Sequence, residues 1–260
     1  MKPLIQKARI VENKKAGDEY VILETEVNKA LECTPGQFAM LRGNWSSDPL
    51  WSRAFSLLTG GSRPSFLIKT VGRGTRRLAA MKPGEEITMT APLGNGFSIP
   101  ADDLMPVLVA GGTGAAPLCF LAEILFSRGR GKRARFLYGG RSCSDLPLKD
   151  RVPGGMGLVC TTDDASEGEG GPVTLPLEKV LDDSPASKVF ACGPVPMLAE
   201  TVKIAFSHGV SCEISFETVM ACGIGLCMGC AVPASEGGYI HLCNEGPVVD
   251  AQKLDWDRLQ

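Results

Sequence analysis

The stretch Pro106-Val107-Leu108-Val109-Ala110-Gly111-Gly112-Thr113-Gly114-Ala115-Ala116-Pro117 joins a short apolar strand to a glycine-rich turn and the start of a helix. A strand, a glycine-rich turn and a helix in this order form the layout that binds the phosphates of a dinucleotide. The free N–H groups at the helix start attract phosphate, and glycine allows a close approach. The turn lacks the G-x-G-x-x-G spacing of the standard fingerprint, so a tight turn without a ligand is the alternative at this point.

Downstream of this stretch, strand-like and helix-like patterns alternate, which is typical of a parallel sheet covered by helices. We predict helices at residues 115–127, 173–181 and 195–207, and further strands at residues 135–138, 157–161, 188–191 and 212–216. In such sheets, ligands bind at the carboxyl ends of the strands. The polar, glycine-rich segment 163–172 is predicted to be a mobile loop.

Upstream of the same stretch, residues 1–101 have the pattern of an all-β domain. Short apolar runs separated by glycine and proline turns predict strands at residues 4–11, 20–27, 37–42, 53–58, 65–71 and 85–90. A short helix at residues 75–81 interrupts them. Several short strands at this spacing indicate an antiparallel β-barrel.

The charge balance and the start of the chain limit the class of protein. With 27 basic and 29 acidic residues the net charge is −2, so we expect no nucleic-acid partner. No apolar run approaches the ~20 residues of a membrane span, and the mixed start Met1-Lys2-Pro3-Leu4 is unlike a signal peptide. We therefore expect a cytoplasmic protein with reduced thiols. Its ten cysteines then need another explanation than disulfides.

Four of the ten cysteines are spaced as C-x4-C-x2-C-x12-C, and they are Cys222, Cys227, Cys230 and Cys243. The first part of this spacing matches the plant-type [2Fe–2S] run. Two bridged irons need four thiolates, and the glycines of the loop 221–230 allow its backbone to bend around the cluster. A structural zinc site is the alternative, although the second C-x2-C or histidine pair that usually completes one is absent from the sequence.

Two motifs in the barrel half have the chemistry to hold a flavin. In Arg53-Ala54-Phe55-Ser56, the arginine can pair with a pyrophosphate and the aromatic ring can lie against a flat heterocycle, while the serine hydroxyl can bond a ring nitrogen. Gly72-Arg73-Gly74-Thr75 opens a helix directly after a strand, where phosphate is attracted. An ordinary strand and a turn with Thr75 as N-cap are the alternatives.

A third motif, Ala191-Cys192-Gly193-Pro194-Val195-Pro196-Met197, ends a strand and starts a helix in the α/β half. Its proline residues suit the first helical turn, and the motif falls at the carboxyl edge of the predicted sheet. Cys192 is therefore either a neighbour of a nicotinamide ring or a buried small side chain. With Gly193 and the turn Gly111-Gly112-Thr113-Gly114, it forms our predicted nicotinamide site.

Taken in order, Arg-x-Phe-Ser, Gly-x-Gly-Thr, Gly-Gly-Thr-Gly-x-x-Pro and Cys-Gly-Pro-x-Pro-Met resemble the ferredoxin–NADP reductase superfamily. The loop 221–230 and the segment 241–248 resemble one branch of it, the electron-transfer subunits of type B dihydroorotate dehydrogenase. This resemblance implies an FAD-binding β-barrel (1–101), a parallel α/β nicotinamide-binding domain (102–216) and a C-terminal [2Fe–2S] module (217–260).

The resemblance also implies which residues bind the cofactors. The FAD-binding residues would be Arg53, Ala54, Phe55, Ser56, Leu67, Ile68, Lys69, Gly74 and Thr75. The cluster ligands would be Cys222, Cys227, Cys230 and Cys243. Since the cofactors carry the redox chemistry, no side chain is expected to act as a general acid or base.

The function implied by the resemblance is electron transfer in pyrimidine biosynthesis. A partner subunit containing FMN would oxidise dihydroorotate, and electrons would pass through [2Fe–2S] and FAD to NAD+, in a heterotetramer with two copies of each subunit. One alternative is an NAD(P)H-dependent flavin and iron–sulfur reductase that serves a ferredoxin, an oxygenase or a sulfur-reducing complex. Another is a cofactor-poor subunit with a zinc-like cysteine site. The sequence leaves the choice between NAD and NADP open.

Overall fold

The structure, a computed structural model, describes residues 3–46 and 48–259. Met1 and Lys2, part of the chain start discussed above, lie outside the described residues, as do Ser47 and Gln260. No helix in the described part of the chain is long and apolar enough to cross a membrane.

The first part of the chain forms a nearly closed antiparallel barrel, as the sequence predicts. Its strands are β1 (Leu4–Lys15), β2 (Tyr20–Val27), β3 (Phe38–Gly43), β4 (Arg53–Ser56), β5 (Ser65–Lys69) and, after the short helix α1 (Arg73–Ala79), β6 (Glu86–Leu93). Their order is β4-β3-β6-β1-β2-β5, and β4 and β5 at the two ends lie side by side. Alternate side chains of each strand point inward, and Leu23, Phe66 and Ile87 are fully buried there.

The second part is a parallel sheet with helices, which also agrees with the prediction. Its strands are β7 (Met105–Gly111), β8 (Arg135–Gly140), β9 (Gly157–Thr162), β10 (Glu169–Gly170), β11 (Ser187–Cys192) and β12 (Ser211–Ser215), and its helices are α2 (Ala115–Ser127), α3 (Thr174–Asp183) and α4 (Val195–Ser207). The strand order is β10-β9-β8-β7-β11-β12. Chain order therefore reverses between β7 and β11, and a crevice opens at the carboxyl ends of strands at such a reversal.

The C-terminal segment returns to this sheet. It forms a hairpin of β13 (Ala231–Pro233) and β14 (Tyr239–His241), and then β15 (Val248–Asp250). Val249 of β15 pairs with Ile214 of β12 in antiparallel orientation, so the sheet has seven strands. The segment 216–247, which carries the four cysteines, is therefore joined at both ends to the last two strands at one edge of the α/β sheet, β12 and β15.

The segment 163–172 differs from the mobile loop predicted from its composition. Glu169 and Gly170 form β10, which pairs with Thr161 and Thr162 of β9. The hydroxyl of Thr162 donates to the Glu167 carbonyl and accepts from the Glu167 N–H, at 3.0 Å each. The prediction of a mobile loop was wrong, because the glycines allow the segment to fold tightly against β9.

We expect Phe190→Ala to destabilise the protein strongly. Phe190 lies fully buried in β11 and contacts the Phe97 ring edge-on, with 5.8 Å between the centroids. Removing a fully buried aromatic ring costs about 3–5 kcal/mol, and the melting temperature of the protein should fall by roughly 10 °C. The control is Phe206→Ala, since Phe206 is 39% exposed on α4. Equal losses for the two variants would contradict the assigned core.

Candidate functional site

Two clefts meet where the barrel packs on the sheet. The first, which we call the sheet-edge cleft, has a volume of about 410 Å³ and lies over the carboxyl ends of β7, β8 and β11. Its walls are formed by Gly111, Gly112, Thr113, Gly139, Gly140, Arg141, Asp145, Asp163, Gly171, Pro172, Val173, Gly193, Pro194, Met197 and Glu217, with Tyr20 and Lys69 of the barrel. This is the crevice expected from the strand order.

The second cleft, which we call the barrel cleft, has a volume of about 350 Å³ and lies between β4, β5 and the sheet. It is lined by Phe38, Arg53, Ala54, Phe55, Ser56, Leu67, Lys69, Val71 and Thr75 on the barrel side, and by Thr113, Ala116, Ser215, Phe216, Glu217, Thr218, Met220 and Pro247 on the other. Seven of the nine residues predicted from the resemblance to bind FAD are thus brought together here.

The remaining two of those nine residues lie behind the wall. Ile68 has no exposed surface and packs in the barrel core, because its neighbours Leu67 and Lys69 point to the opposite face of β5. Gly74 lies under the arginine of the cleft: a β-carbon at this position would come within 2.3 Å of Nε of Arg53. The glycine therefore makes room for the guanidinium group against the start of α1.

The predicted nicotinamide residues divide in the same way. Gly111, Gly112, Thr113 and Gly193 line the sheet-edge cleft, whereas Gly114 and Cys192 do not. A β-carbon at Gly114 would lie 2.1 Å from the carbonyl oxygen of Cys192, so the turn after β7 rests directly on the end of β11.

The Cys192 side chain is fully buried, and this desolvation raises the pKa of its thiol well above the ordinary value. Its own side chain therefore forms neither cleft wall, which favours the interpretation as a buried small side chain.

Three residues line both clefts: Lys69, Thr113 and Glu217. Neither composition nor motif indicates Glu217, and its position two residues after β12, at the carboxyl edge, is the one signal in the sequence. Glu217 is exposed, so its side chain is accessible to molecules held in either cleft. Molecules held in the two clefts would touch each other at this shared wall.

A charged cluster closes one side of the sheet-edge cleft, and sequence reasoning missed most of it. Oδ1 of Asp145 accepts from the Tyr20 hydroxyl at 2.7 Å and from Nζ of Lys69 at 3.1 Å, and Oδ2 accepts from Nε of Arg141 at 3.2 Å. Burial alone would raise the pKa of Asp145, but these donors outweigh it and hold the pKa at about 2. The residues come from β2, β5 and the segment after β8, which is why no local pattern reveals them.

The four clustered cysteines form two neighbouring pairs. The N–H of Cys227 donates to Sγ of Cys222 at 3.4 Å, and the N–H of Cys243 donates to Sγ of Cys230 at 3.4 Å. The N–H of Gly225 donates to Sγ of Cys243 at 3.0 Å, which links the loop to the second pair. A two-iron cluster takes two thiolates on each iron, so two pairs with N–H groups directed at sulfur fit it.

The electrostatics of the cysteine pairs differ. Although partial burial raises the pKa of Cys222, the N–H groups of Ile224, Cys227 and Leu226 lower it to about 6. Burial and the adjacent Cys230 thiol raise the pKa of Cys243 to about 12. An iron ion bound beside this thiol would favour the loss of its proton.

The cysteine loop also connects to the barrel cleft. Met220 lines that cleft, and Cys222 follows two residues later. On the other side, the loop meets the barrel, where a β-carbon at Gly223 would lie 2.6 Å from Cγ of Met40. Cys227 is exposed, and its chain neighbours Leu226 and Met228 are exposed apolar side chains as well.

Comparison with known proteins gives consistent results. The family model of the iron–sulfur cluster binding domain of dihydroorotate dehydrogenase B matches residues 217–255. The protein from Desulforamulus reducens named dihydroorotate dehydrogenase B (NAD(+)), electron transfer subunit, is 34% identical over 86% of this chain and 87% of its own. The protein of the same name from Clostridium acetobutylicum is 35% identical over 95% of each chain.

Solved structures show the same architecture. A structure of the NADH-dependent reduced ferredoxin-NADP oxidoreductase, described in connection with flavin-based electron bifurcation, aligns with a TM-score of 0.85 at 26% identity, over 97% of this chain and 91% of that one. A ferredoxin reductase of carbazole 1,9a-dioxygenase aligns with a TM-score of 0.71 at 21% identity, over 81% of this chain and 67% of that one. The second likeness shows the fold alone.

We expect Gly114→Ala to disturb the sheet-edge cleft. The new β-carbon would meet backbone of Cys192, which cannot rotate away, so the turn after β7 must move. Such overpacking costs about 1–3 kcal/mol, and the melting temperature should fall by several degrees. The control is Gly154→Ala, because no atom lies within 4 Å of a β-carbon there. A Gly114→Ala variant as stable as this control would contradict the close approach of the two strand ends.

Proposed function

Because the chain belongs to the family of electron-transfer subunits of dihydroorotate dehydrogenase B, we propose that it carries the electrons of dihydroorotate oxidation from a catalytic partner subunit to NAD+. It is an oxidoreductase subunit of pyrimidine biosynthesis that works with FAD, an iron–sulfur cluster and NAD. The observation that carries the proposal is the wall of Lys69, Thr113 and Glu217 common to both clefts, because hydride transfer between a flavin and a nicotinamide requires that the two rings meet.

We assign the barrel cleft to FAD, which when bound converts the single electrons of a cluster into the pair that a nicotinamide takes. Arg53, lying on the start of α1, would pair with the diphosphate. Phe55 and Ser56 line the wall beside it, where a flat ring and a hydrogen-bonding edge would lie. The cleft fits a flavin because it is open and partly apolar; Val71 on its wall is 71% exposed.

We assign the sheet-edge cleft to NAD. The turn Gly111-Gly112-Thr113 precedes α2, and Gly112 has a φ of +52°, a conformation that glycine adopts without strain. The hydroxyl of Tyr138 donates to the Gly112 carbonyl at 3.0 Å and fixes the turn. Gly193 and Met197 pack against Gly111 of this turn, and the nicotinamide end would lie beside them and Glu217. Thr113 lines both clefts and would lie where the two cofactors meet.

We assign the cluster to Cys222, Cys227, Cys230 and Cys243 as a [2Fe–2S] centre. The N–H groups that reach three of these sulfurs would stabilise negative charge on them. Backbone donors of this kind need no proton exchange, so the loop can keep its shape while the charge of the centre changes.

The organisation of the protein follows from these assignments. We propose three domains: a barrel at residues 1–101, an α/β domain at 102–216 and a cluster module at 217–260. The catalytic subunit is the partner, and we propose a heterotetramer with two copies of each. The ten free thiols, together with the use of NAD, support the cytoplasm as the compartment.

A second candidate function has one observation in its favour. The likeness to the NADH-dependent reduced ferredoxin-NADP oxidoreductase extends over 97% of this chain. A reductase that exchanges electrons with a ferredoxin would use the same two clefts and the same cysteines. The two functions differ in the protein that meets the cluster, so the partner distinguishes them.

The test is to mix the purified chain with a candidate FMN-containing catalytic subunit and add dihydroorotate under anaerobic conditions. We expect the flavin absorbance to bleach and NAD+ to be reduced. Cys227→Ala should abolish this transfer while NADH-dependent dye reduction partly remains, because dye reduction needs only the two clefts. Full transfer in the Cys227→Ala variant would contradict the route through the cluster. Bleaching by reduced ferredoxin and never by dihydroorotate would favour the second candidate.

We expect Leu226→Asp to weaken the complex with the catalytic subunit at least tenfold. Leu226 is 77% exposed beside Cys227, and a buried carboxylate without a partner is costly in an interface. Leu175→Asp is the control, because Leu175 is a 50% exposed leucine on α3 and not part of the cysteine loop. Sedimentation or calorimetry measures the affinity. If both variants bind like the wild type, the catalytic subunit docks elsewhere.

A further inference from the structure

The sheet-edge cleft has two cationic side chains among the described residues of its wall, Lys69 and Arg141. One carboxylate holds both of them: each oxygen of Asp145 is bonded to one cation, at 3.1 Å and 3.2 Å. The Tyr20 hydroxyl is the third donor to Asp145, and the Lys69 ammonium also lies 4.9 Å from the centre of the Tyr20 ring. The arrangement is a fixed array of two positive charges on one side of the cleft.

This array joins two domains. Tyr20 and Lys69 belong to the barrel, whereas Arg141 and Asp145 follow β8 of the sheet. Only 8% of the surface of Asp145 is exposed, whereas the Arg141 side chain is 77% exposed, so a buried carboxylate anchors a guanidinium group that stays accessible to a ligand. The Lys69 ammonium has one further acidic neighbour, the exposed carboxylate of Glu19 at 3.6 Å. The position of the cations therefore depends on the barrel and the sheet being docked.

The array lies beside the turn that precedes α2. A β-carbon at Gly112 would be 3.9 Å from the hydroxyl oxygen of Tyr20. The backbone of such a turn is where the diphosphate of a dinucleotide lies. A diphosphate carries two negative charges, and Lys69 and Arg141 supply two positive ones on the facing wall.

The carboxylate between the two cations holds both side chains in place. Without it, the ammonium and guanidinium groups would repel each other and turn towards solvent, and binding would have to restrain both flexible side chains. With Asp145 between them, the three groups keep a net charge of +1, and both side chains are already ordered. Arg141 is bonded to Asp145 through Nε, which leaves its two terminal nitrogens for a ligand.

We propose that Asp145 is a positioning residue for the nicotinamide dinucleotide, which holds Lys69 and Arg141 so that both face its diphosphate across the glycine turn. This rests on the proposed function, in that NAD occupies the sheet-edge cleft. Lys69, which the resemblance implies is a flavin residue, then serves the nicotinamide site from the barrel.

The test compares NAD+ with nicotinamide mononucleotide, which has a single phosphate, by equilibrium titration of the oxidised FAD-loaded protein. Asp145→Asn keeps the shape of the side chain and removes its charge. We expect it to raise the dissociation constant of NAD+ about tenfold and that of the mononucleotide less than twofold. Lys69→Met should act similarly. In the Lys69→Met background, Asp145→Asn should raise the dissociation constant of NAD+ clearly less than it does in the wild type, because part of its effect passes through Lys69.

Glu213→Gln is the matched control. Glu213 is bonded to Lys188 at 2.8 Å, both side chains are less than a fifth exposed, and the pair also contacts Ser98 at the join between barrel and sheet, but neither residue lines a cleft. This variant should lose stability without a change in NAD+ affinity. If Asp145→Asn does not fold, two other variants test the proposal. Lys69→Met should raise the dissociation constant of NAD+ about tenfold, and Tyr20→Phe, which removes one donor only, should raise it about two- to threefold. Neither should change the dissociation constant of the mononucleotide.

The proposal is overturned if Asp145→Asn weakens the mononucleotide as much as NAD+, if its effect is the same with and without Lys69, or if Glu213→Gln weakens NAD+ equally. Unchanged NAD+ affinity in all cleft variants overturns it as well. A wild-type chain that binds FAD but not NAD+ would instead contradict the proposed function. The positioning role and the proposed function therefore fail in different measurements.

Discussion

The fold depends on one close approach of backbone to backbone. Between β7 and β11 the strand order reverses, and the turn after β7 rests on the carbonyl of Cys192 with no space for a side chain at Gly114. This contact brings the ends of the two strands together, so Gly111 and Gly193 lie side by side in the wall of one cleft. Because β7 is central, displacement of the turn would alter the cleft, the start of α2 and the wall shared with the barrel.

The barrel and the cysteine module pack around this contact between the ends of β7 and β11. The barrel supplies Lys69 to both clefts, and the module begins with Glu217, which also lines both. The module is further joined to the barrel through Asn95, whose side chain donates to the Glu245 carbonyl at 2.9 Å. Each of the three parts therefore contributes atoms to the region between the clefts, and none of them completes a cleft alone.

Much of this arrangement could be predicted from the sequence, because the decisive signals are local. The stretch 106–117 indicates strand, turn and helix within twelve residues, and the spacing of four cysteines is a local signal as well. The barrel and the parallel sheet follow from hydrophobic periodicity and turn residues. Predicted strands and helices accordingly agree with the structure in type, and they differ mainly by a few residues at their ends.

The sequence could not reveal groups assembled from distant segments. Asp145 meets Tyr20 across more than a hundred residues, and nothing near either residue indicates the partner. Glycine-rich composition predicts a mobile segment at 163–172, whereas the same glycines let this segment fold on β9. Composition alone does not distinguish a mobile backbone from one that packs closely against a strand. Strand alternation directs Ile68 into the barrel core and not into the cleft, although the resemblance places it among the FAD residues.

The return of the chain as β15 has one further consequence. Without it, β12 would present an unpaired row of N–H and C=O groups at the end of a parallel sheet, and exposed edges of this kind pair with other chains. The strand that covers this edge, β15, begins five residues after Cys243. The same C-terminal stretch that carries the cysteines therefore also caps the sheet, and a chain truncated before β15 would expose the backbone groups of β12 to pairing with other chains.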